Sequence, residues 1–335
     1  MSAPLSRILI TLPVPAEPLA QARAKFPQYE WVEARKERVA ELAAEAEIIC
    51  GPPRAEHASA APKLKWFQST SAGAEQVAGT PAFKEGRILL TTAAGMHDSC
   101  AEHALALLLA LTRQTCLYAR TEMAAGTGAG SAENVRGYSP SIWDLRKVHP
   151  SPRVLNGQSL GLLGLGAIGR AIARITKTLG LTVIGVSYHG QPVPECHETH
   201  AIARLDDLLP RFDVLILALP ASPNTDGLLS AARLKKLPRH ALVVNVGRGN
   251  ALDEAALVQA LRDGTIAGAG LDVFAKEPLP ADSLLYTLPN VVLTPHIGGN
   301  RPDYHERAFE IFLDNLERYS KGEALLNLVE RERGY

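Results

Sequence analysis

The sequence has no excess of charge of either sign, because its 335 residues include 35 lysines and arginines and 35 aspartates and glutamates. This balance argues against a protein that holds nucleic acid or an anionic membrane surface. Long apolar runs are missing as well: the longest, 104–111, is far below the ~20 residues that span a bilayer. The apolar stretch at 8–10 is too soon broken by Pro13 and Pro15 for a signal peptide. We therefore expect a protein with a small-molecule ligand and with neither nucleic acid nor membrane as a partner.

Cysteine is scarce and scattered. The four cysteines are Cys50, Cys100, Cys116 and Cys196, and no two of them form a C-x-x-C pair or a metal-ligand spacing. Isolated thiols of this kind are typical of the reduced cytoplasm, where they usually fill small buried sites. The sequence thus predicts a cytoplasmic protein with no bound metal.

Short apolar strands alternate with helix-like segments along most of the chain, a pattern typical of parallel sheets covered by helices on both faces. The length fits two domains. Strands are predicted at 8–12, 29–32, 48–50, 64–68, 88–91, 160–163, 182–187, 213–219, 241–246, 269–273 and 291–294. The main helices are predicted at 19–26, 39–46, 99–123, 171–179, 228–237, 253–262 and 302–319, with a capping box formed by Ser99 and Glu102.

The stretch 159–180 organises the second half of the chain. An apolar run ends at Leu163, and after it come Gly164, Leu165, Gly166, Ala167, Ile168 and Gly169, followed by apolar residues at helical spacing. In such a strand, turn and helix, the first glycine makes the tight turn, the second lets the backbone approach a pyrophosphate, and the third packs helix on strand. The free N–H groups that open the helix attract phosphate. We interpret this turn as a dinucleotide site, with a purely structural turn as the alternative.

Polar residues follow three of the later predicted strands. Arg248 stands between two glycines, Glu277 lies in the segment after the strand at 269–273, and His296 follows Pro295. Ligands of open parallel sheets bind at the carboxyl ends of the strands. A guanidinium is shaped to clamp a carboxylate, and a histidine can exchange a proton near neutral pH. Taken alone, Arg248 could equally be a solvated loop residue, and Glu277 is more typical of a surface residue.

Together, the glycine turn and the segments VNVGRG, LDVFAKEPLP and LTPHIGG resemble the D-isomer-specific 2-hydroxyacid dehydrogenase family, with glyoxylate/hydroxypyruvate reductases as the nearest kind. Weaker support comes from 100–113 and from 69–73. The resemblance implies that 2-oxoacids are reduced to D-2-hydroxyacids by hydride transfer from NAD(P)H. It assigns Arg248 to the substrate carboxylate and carbonyl, His296 to acid/base chemistry and Glu277 to the support of His296.

The same resemblance implies an α/β fold of two doubly wound parallel-sheet domains, with substrate bound in the cleft between them. A Rossmann dinucleotide-binding domain at 99–301 would be inserted into a flavodoxin-like substrate domain at 1–98 and 302–335. The segment 124–157 is poor in structure-forming residues and would be a dimerisation arm. We expect a homodimer in which Trp143 of this arm reaches the pocket of the neighbouring subunit.

The resemblance also names binding residues. It implies a substrate site formed by Ser71, Ala72, Gly73, Gly95, Arg248 and His296, and it gives no role to Glu75, where the family often has aspartate. It implies a cofactor site formed by Gly164, Leu165, Gly166, Ala167, Ile168, Gly169, Ser187, Tyr188, His189, Leu219, Pro220, Thr225, Val246, Gly247, Arg248, Asp272, His296 and Gly298. Asp272 would meet the nicotinamide amide.

One departure bears on cofactor choice. An NAD-preferring site carries an acid about twenty residues after the glycine turn. Here the residues at that point are Ser187, Tyr188 and His189, none of which is a carboxylate. These side chains could accept a 2′-phosphate, although the arginine common in NADP sites is missing. We therefore expect NADP to be preferred and NAD to remain usable.

Several alternatives stay open. A nicotinamide-sensing scaffold that resembles the C-terminal-binding corepressors shares this fold, and so do formate and phosphite dehydrogenases. His97 and His103 could form an acid/base pair, but we interpret both as structural. A metal site at His197 and His200, in a segment interpreted as a loop, lacks a matching carboxylate and is rejected.

Overall fold

The structure is a computed structural model that describes residues 6–34, 38–96, 98–116, 152–332 and 334. The chain divides into two compact units. One comprises Met1–His97 and Asn300–Tyr335, and the other comprises Asp98–Gly299.

The first unit is built on a five-stranded parallel sheet in the order β2-β1-β3-β4-β5. This is the flavodoxin-like order. Its strands are β1 (Ser6–Ile10), β2 (Tyr29–Glu33), β3 (Ile48–Gly51), β4 (Trp66–Ser69) and β5 (Leu89–Thr91). Its helices are α1 (Ala16–Lys25), α2 (Val39–Ala43), α3 (Ala55–Ser59), α4 (Glu75–Ala78), α5 (Pro81–Lys84) and, from the end of the chain, α11 (Tyr304–Lys321).

Helix α11 packs on this sheet through aromatic side chains. The Trp66 ring stacks on Phe312 with centroids 5.4 Å apart and on Tyr319 at 5.2 Å. Below the rings, Gln68 Oε1 accepts hydrogen bonds from Thr91 Oγ1 at 2.7 Å and from Asn315 Nδ2 at 3.0 Å. Because these polar groups are fully buried, their mutual hydrogen bonds are what make their burial tolerable.

The second unit holds a seven-stranded parallel sheet in the order β12-β11-β10-β9-β6-β7-β8. Its strands are β6 (Ser159–Leu163), β7 (Thr182–Ser187), β8 (Glu198–Ala201), β9 (Val214–Leu217), β10 (Leu242–Asn245), β11 (Gly268–Leu271) and β12 (Val291–Leu293). Its helices are α6 (Asp98–Arg113), α7 (Ala167–Thr178), α8 (Leu205–Leu208), α9 (Ala231–Leu234) and α10 (Glu254–Arg262), with 3-10 turns at Ile202–Arg204, Leu209–Arg211, Gly249–Ala251 and Leu284–Thr287.

The strand order of this sheet reverses at β6, because β7 pairs with one edge of β6 and β9 with the other. A crevice opens outside the carboxyl ends of the strands at such a switch point, and ligands of open α/β sheets bind there. The predicted glycine turn follows β6 directly. The expected class of fold, two doubly wound parallel sheets with a Rossmann unit, is thus confirmed.

Four local predictions were wrong. Residues 198–201 form an edge strand, β8, whose four residues are all half-buried, so no apolar alternation marked it in the sequence. The helix predicted at 228–237 shortens to α9. The helix predicted at 99–123 ends as α6 at Arg113, where Gln114 follows with a φ of +60°. Ser99 does not cap α6: the helix begins at Asp98, and the Ser99 hydroxyl is buried without a hydrogen-bond partner among the described residues.

In the part of the chain that the structure describes, no helix is both long and apolar enough to cross a membrane. Within the same residues, no three His, Cys, Asp or Glu side chains are grouped so that they could hold a metal ion.

Candidate active site

Two glycines of the turn after β6 are required by close packing. Gly164 has a φ of +97°, and a Cβ atom there would lie 2.4 Å from the Ala218 carbonyl oxygen. At Gly169, in the first turn of α7, a Cβ atom would lie 1.9 Å from the Gly164 carbonyl oxygen. A Cβ atom at Gly166 would meet no atom of the described residues within 4 Å. Packing therefore explains why Gly164 and Gly169 are glycines, and Gly166 leaves open space in front of α7.

This open space lies at the N-terminus of α7. Gly166 is the N-cap residue, no side chain of the described residues caps the helix, and its first turn contains no acidic residue. Gly166 and Ala167 are exposed, and Leu165 and Ile168 are half-buried beside them. Uncapped N–H groups together with the helix dipole suit an anion such as a pyrophosphate. The residues present here fit the dinucleotide that the sequence predicts.

The end of β7 carries the three residues expected to meet the cofactor ribose. Ser187 is half-buried, and its hydroxyl oxygen accepts a hydrogen bond of 3.2 Å from the Gly190 N–H. The Tyr188 side chain is 55% exposed, and its ring meets the His189 ring edge-on with centroids 4.8 Å apart. The Ser187 hydroxyl can still donate its proton, so this strand end offers donors and no carboxylate of its own.

The other expected cofactor residues line the ends of β9 and β10. Leu219 and Val246 are buried, and Pro220 is half-buried. Thr225 closes the loop after β9, since its hydroxyl donates to the Pro220 carbonyl at 2.8 Å. A Cβ atom at Gly247 would lie 2.6 Å from the Leu219 backbone nitrogen, so the two strand ends touch at that glycine.

The loop that carries Arg248 is fixed by a buried asparagine. Asn245 Oδ1 accepts from the Gly247 N–H at 3.1 Å, and Asn245 Nδ2 donates to the Arg248 carbonyl at 3.0 Å. On the far side, a Cβ atom at Gly249 would lie 1.9 Å from the Phe274 carbonyl carbon. The Arg248 backbone is thus held against the segment that leads to Glu277.

Glu277 and His296 form an ion-pairing contact. His296 Nδ1 lies 2.7 Å from Glu277 Oε2, and the other carboxylate oxygen, Oε1, accepts from the Phe274 N–H at 3.0 Å. A carboxylate at Nδ1 stabilises the Nδ1–H tautomer and leaves Nε2 as the nitrogen presented to a reactant. The His296 side chain is 47% exposed, so that nitrogen can be reached.

Asp272 lies beneath the His296 loop and organises it. Its Oδ1 accepts from the Ile297 N–H at 3.0 Å and its Oδ2 from the Gly298 N–H at 2.8 Å, while its carbonyl accepts from the His296 N–H at 2.8 Å. Burial acts to raise the pKa of Asp272, but hydrogen bonds from His103, Thr294 and these two N–H groups outweigh it and lower the pKa to about 2. Asp272 is therefore ionised and acts only as an acceptor. Its predicted role toward the nicotinamide amide stays a prediction.

The expected substrate loop belongs to the first unit. The Ser69 hydroxyl accepts from the Ser71 N–H at 3.1 Å, and the Ser71 hydroxyl donates to the Gly73 carbonyl at 2.6 Å. Ala72 is half-buried at the tip of this turn. Gly95 is exposed with a φ of +102°, a conformation that favours glycine.

Sequence reasoning missed three residues of the site. Asn245 gave a signal, as a polar residue at the end of an apolar strand. His103 was interpreted as structural and Thr294 was not considered, although His103 Nε2 lies 2.8 Å from Thr294 Oγ1 and 3.2 Å from Asp272 Oδ1. No local pattern could have revealed this contact, because it joins α6 to a loop almost two hundred residues later. Trp143 and residues 124–151 of the predicted arm lie outside the described residues, as does His97.

Comparison with known proteins identifies the same region. The family profile described as the NAD binding domain of D-isomer specific 2-hydroxyacid dehydrogenases matches residues 105–298. The glyoxylate reductase of Korarchaeum cryptofilum is 30% identical over an alignment of 339 positions that covers 97% of this chain and 96% of that protein.

Two solved structures extend the likeness to the whole fold. A D-isomer specific 2-hydroxyacid dehydrogenase family protein from Aeromonas salmonicida has a TM-score of 0.80 at 31% identity, covering 98% of this chain and 100% of that one. The NADPH-dependent glyoxylate/hydroxypyruvate reductase of Sinorhizobium meliloti, in complex with NADP and sulfate, has a TM-score of 0.76 at 26% identity, covering 98% and 100%.

The matched segment contains the glycine turn, Arg248, Glu277 and His296, so family and geometry converge on the same strand ends. The likeness to the Korarchaeum protein spans nearly the full length of both chains. The chain therefore belongs to the D-isomer specific 2-hydroxyacid dehydrogenase family and is an NAD(P)-dependent dehydrogenase of that family.

Proposed function

We propose that the protein reduces 2-oxoacids to D-2-hydroxyacids, with His296 as the proton donor and Arg248 as the group that binds the substrate carboxylate. The observation that carries this proposal is the 2.7 Å contact between His296 and Glu277 at the carboxyl ends of the strands. A histidine held by a carboxylate at Nδ1 is suited to deliver a proton from Nε2.

The reaction adds a hydride to the carbonyl carbon and a proton to the carbonyl oxygen. Reduced nicotinamide supplies the hydride when it is bound. The Arg248 guanidinium clamps the carboxylate and polarises the carbonyl, because its N–H groups lie in a plane that matches two oxygens. The His296 imidazolium gives its Nε2 proton to the oxygen as negative charge develops there. Glu277 stabilises the charged ring until the proton leaves.

Within this proposal, the pyrophosphate would bind at Gly166 and the N-terminus of α7, with the adenosine ribose at Ser187, Tyr188 and His189. Leu219, Pro220, Thr225, Val246 and Gly247 would line the path of the cofactor between them and the reacting centre. The substrate loop at Ser71, Ala72, Gly73 and Gly95 remains a prediction, as does the cytoplasmic location.

A substrate panel tests the proposal. Glyoxylate, hydroxypyruvate, pyruvate and a branched or aryl 2-oxoacid are assayed with NADH and NADPH, in the wild type and in His296→Ala and Arg248→Lys. We expect His296→Ala to lower kcat by roughly 10²- to 10⁴-fold. Arg248→Lys keeps the charge but loses the planar fork, so kcat/KM should fall sharply.

The matched control is Arg239→Lys, because Arg239 is exposed and its side chain donates only to the Gly264 carbonyl in the contacts observed for it. Near-normal rates in His296→Ala or Arg248→Lys would contradict the assigned roles. Cofactor binding without turnover of any oxoacid would favour the corepressor-like scaffold, and turnover of formate or phosphite would favour those dehydrogenases.

We further propose that NADPH is preferred and NADH is still used. Ser187 stands where an NAD site has a carboxylate, so the repulsion of a 2′-phosphate and the hydrogen bond to a ribose 2′-OH are removed together. The Sinorhizobium relative is a precedent, since it is NADPH-dependent. One charge-assisted hydrogen bond contributes roughly 1.5 to 3 kcal/mol, which corresponds to about a ten- to hundredfold preference. Ser187→Asp should reverse the ratio of kcat/KM for the two cofactors, and a strong wild-type preference for NADH would overturn the proposal.

We also propose a homodimer that uses α6 and the arm at 124–157. The face of α6 turned away from the core presents Leu105, Ala106, Leu109 and Ala110, of which Leu109 is 37% exposed. A second subunit that covers this face would remove apolar surface from water.

A further inference from the structure

His103 meets the loop of the proposed proton donor although it lies on another element. It is in the first half of α6, with a side chain that is 18% exposed. Its Nε2 is 2.8 Å from Thr294 Oγ1, and Thr294 Oγ1 is in turn 2.6 Å from Asp272 Oδ1. His103 Nε2 also lies 3.2 Å from Asp272 Oδ1, so the three side chains form one connected set of polar contacts from α6 to the carboxylate beneath the His296 loop.

The direction of each hydrogen bond follows from the chemistry. Asp272 is ionised and accepts only, so the Thr294 hydroxyl must donate to it. The oxygen of that hydroxyl then accepts from His103, which fixes the proton of His103 on Nε2. Because each donor polarises the next acceptor, the chain is more rigid than its separate contacts.

The loop has little freedom to relax if the chain is broken. His296 has a φ of +54°, which is the left-handed region that a non-glycine residue rarely adopts. Gly298 packs directly on the same groups: a Cβ atom there would lie 2.9 Å from Asp272 Oδ2 and 3.3 Å from His103 Cδ2. The backbone at 296–298 is thus held in place by Asp272 below it and by His103 beside it.

We propose that His103 is a positioning residue for His296: through Thr294 and Asp272 it fixes the loop at 295–298 and so aims the His296 ring at the substrate carbonyl. His103 does not itself exchange a proton with substrate. The inference rests on the proposed function, in which His296 is the proton donor. Loss of a positioning contact should lower kcat more than it raises KM, because misalignment acts on the transition state.

The test compares variants that keep or remove the donor in the full-length enzyme. His103→Gln places an amide N–H close to the position of Nε2, and Thr294→Ser keeps the hydroxyl. His103→Ala and Thr294→Val remove the hydrogen bonds. His240→Gln is the matched control, because His240 Nε2 also contacts an aspartate, Asp213, at 2.6 Å, but at the amino ends of the strands.

We expect His103→Ala and Thr294→Val each to lower kcat by about ten- to a hundredfold. KM for the oxoacid should stay within about threefold, because Arg248 is untouched. His103→Gln and Thr294→Ser should recover most of kcat, and His240→Gln should behave as wild type. The losses in the double variant His103→Ala with Thr294→Val should be less than additive, because His103, Thr294 and Asp272 all contact one another.

A kcat of His103→Ala within about twofold of wild type would overturn the inference, as would a His103→Gln variant no better than His103→Ala. If His103→Ala does not fold, the comparison of kcat between Thr294→Val and Thr294→Ser tests the inference by itself. His296→Ala measured beside them separates the two proposals. Full activity in His296→Ala would refute the proposed function, whereas loss there with neutral His103 variants would refute only the positioning role.

Discussion

At the scale of single residues, the site is built around a backbone conformation that is costly by itself. A non-glycine residue in the left-handed region costs about 1–3 kcal/mol, and His296 adopts it with a φ of +54°. Three hydrogen bonds from the N–H groups of residues 296–298 to Asp272 offset that cost. The conformation turns the ring so that Nδ1 meets Glu277, which leaves Nε2 for chemistry.

Glu277→Gln tests the ion pair. A neutral amide stabilises a protonated imidazole less than a carboxylate does, so kcat for 2-oxoacid reduction should fall at neutral pH. Glu254→Gln is a suitable control, because among the described residues Glu254 accepts a single long hydrogen bond, 3.3 Å from the nearby Ala275 N–H. A kcat that is unchanged in Glu277→Gln would remove Glu277 from the catalytic site.

Because of Asp272, the stability of the protein should decrease at acidic pH. The pKa of Asp272 in the folded protein is about 2, below the ~3.9 of an unfolded chain, so its contribution is present above pH 4–5 and is lost as the pH falls toward 2. This difference in pKa corresponds to roughly 2.5 kcal/mol of stability. Asp272→Asn should therefore be less stable than wild type at pH 7, with a gap that closes on acidification. Urea unfolding of wild type and Asp272→Asn at pH 7, 5 and 3 measures this difference in stability, with the exposed Asp282→Asn as the control. A difference that does not change with pH would contradict the low pKa assigned to Asp272.

At the scale of elements, two glycines of the turn have different roles: Gly169 is required for packing, and Gly166 for cofactor binding. Gly169→Ala puts a methyl group against the Gly164 carbonyl, 1.9 Å away, and should lower the free energy of unfolding by about 1–3 kcal/mol. The methyl group of Gly166→Ala meets no atom within 4 Å in the part of the chain that the structure describes, so stability should be unchanged. The substitution should nevertheless raise KM for the reduced cofactor at least tenfold, because the new methyl group occupies the space of the pyrophosphate. Thermal unfolding and cofactor KM of both variants test this contrast, which fails if Gly166→Ala binds cofactor normally.

The sequence predicted elements well where the pattern is local. The strand, turn and helix at 159–180 are all present, since apolar spacing and glycine positions are set within a few residues. The edge strand β8 was missed because its half-buried residues show no alternation. The failed cap at Ser99 and the contact of His103 with Thr294 depend on packing between α6 and distant loops. Residues fixed by tertiary contact were thus the ones that local patterns could not give.

At the scale of the whole molecule, two units with the same kind of sheet take different tasks. Among the described residues, the second unit has a glycine turn with an uncapped helix at its switch point, and Arg248, Glu277 and His296 lie on that unit too. The first unit instead presents a turn closed on itself by Ser69 and Ser71. We infer that cofactor chemistry is concentrated in the second unit, whereas the role of the turn at 71–73 stays a prediction.

The proposed homodimer is tested on α6. Leucines exposed to water on a helix face add nothing to the stability of the protein. Each leucine that becomes buried in an interface contributes about 1.5–3 kcal/mol to the stability of the dimer. Leu109, 37% exposed, is the centre of that face, so Leu109→Glu would place a charge inside the interface and dissociate a dimer into 35.9 kDa subunits. Leu284→Glu is the control, because Leu284 is 47% exposed on a short 3-10 turn away from α6 in the chain. Light scattering at micromolar concentration should give twice the subunit mass for wild type and for Leu284→Glu, and a single subunit mass for Leu109→Glu. A wild-type monomer would refute the dimer, and a Leu109→Glu dimer would move the interface to another surface.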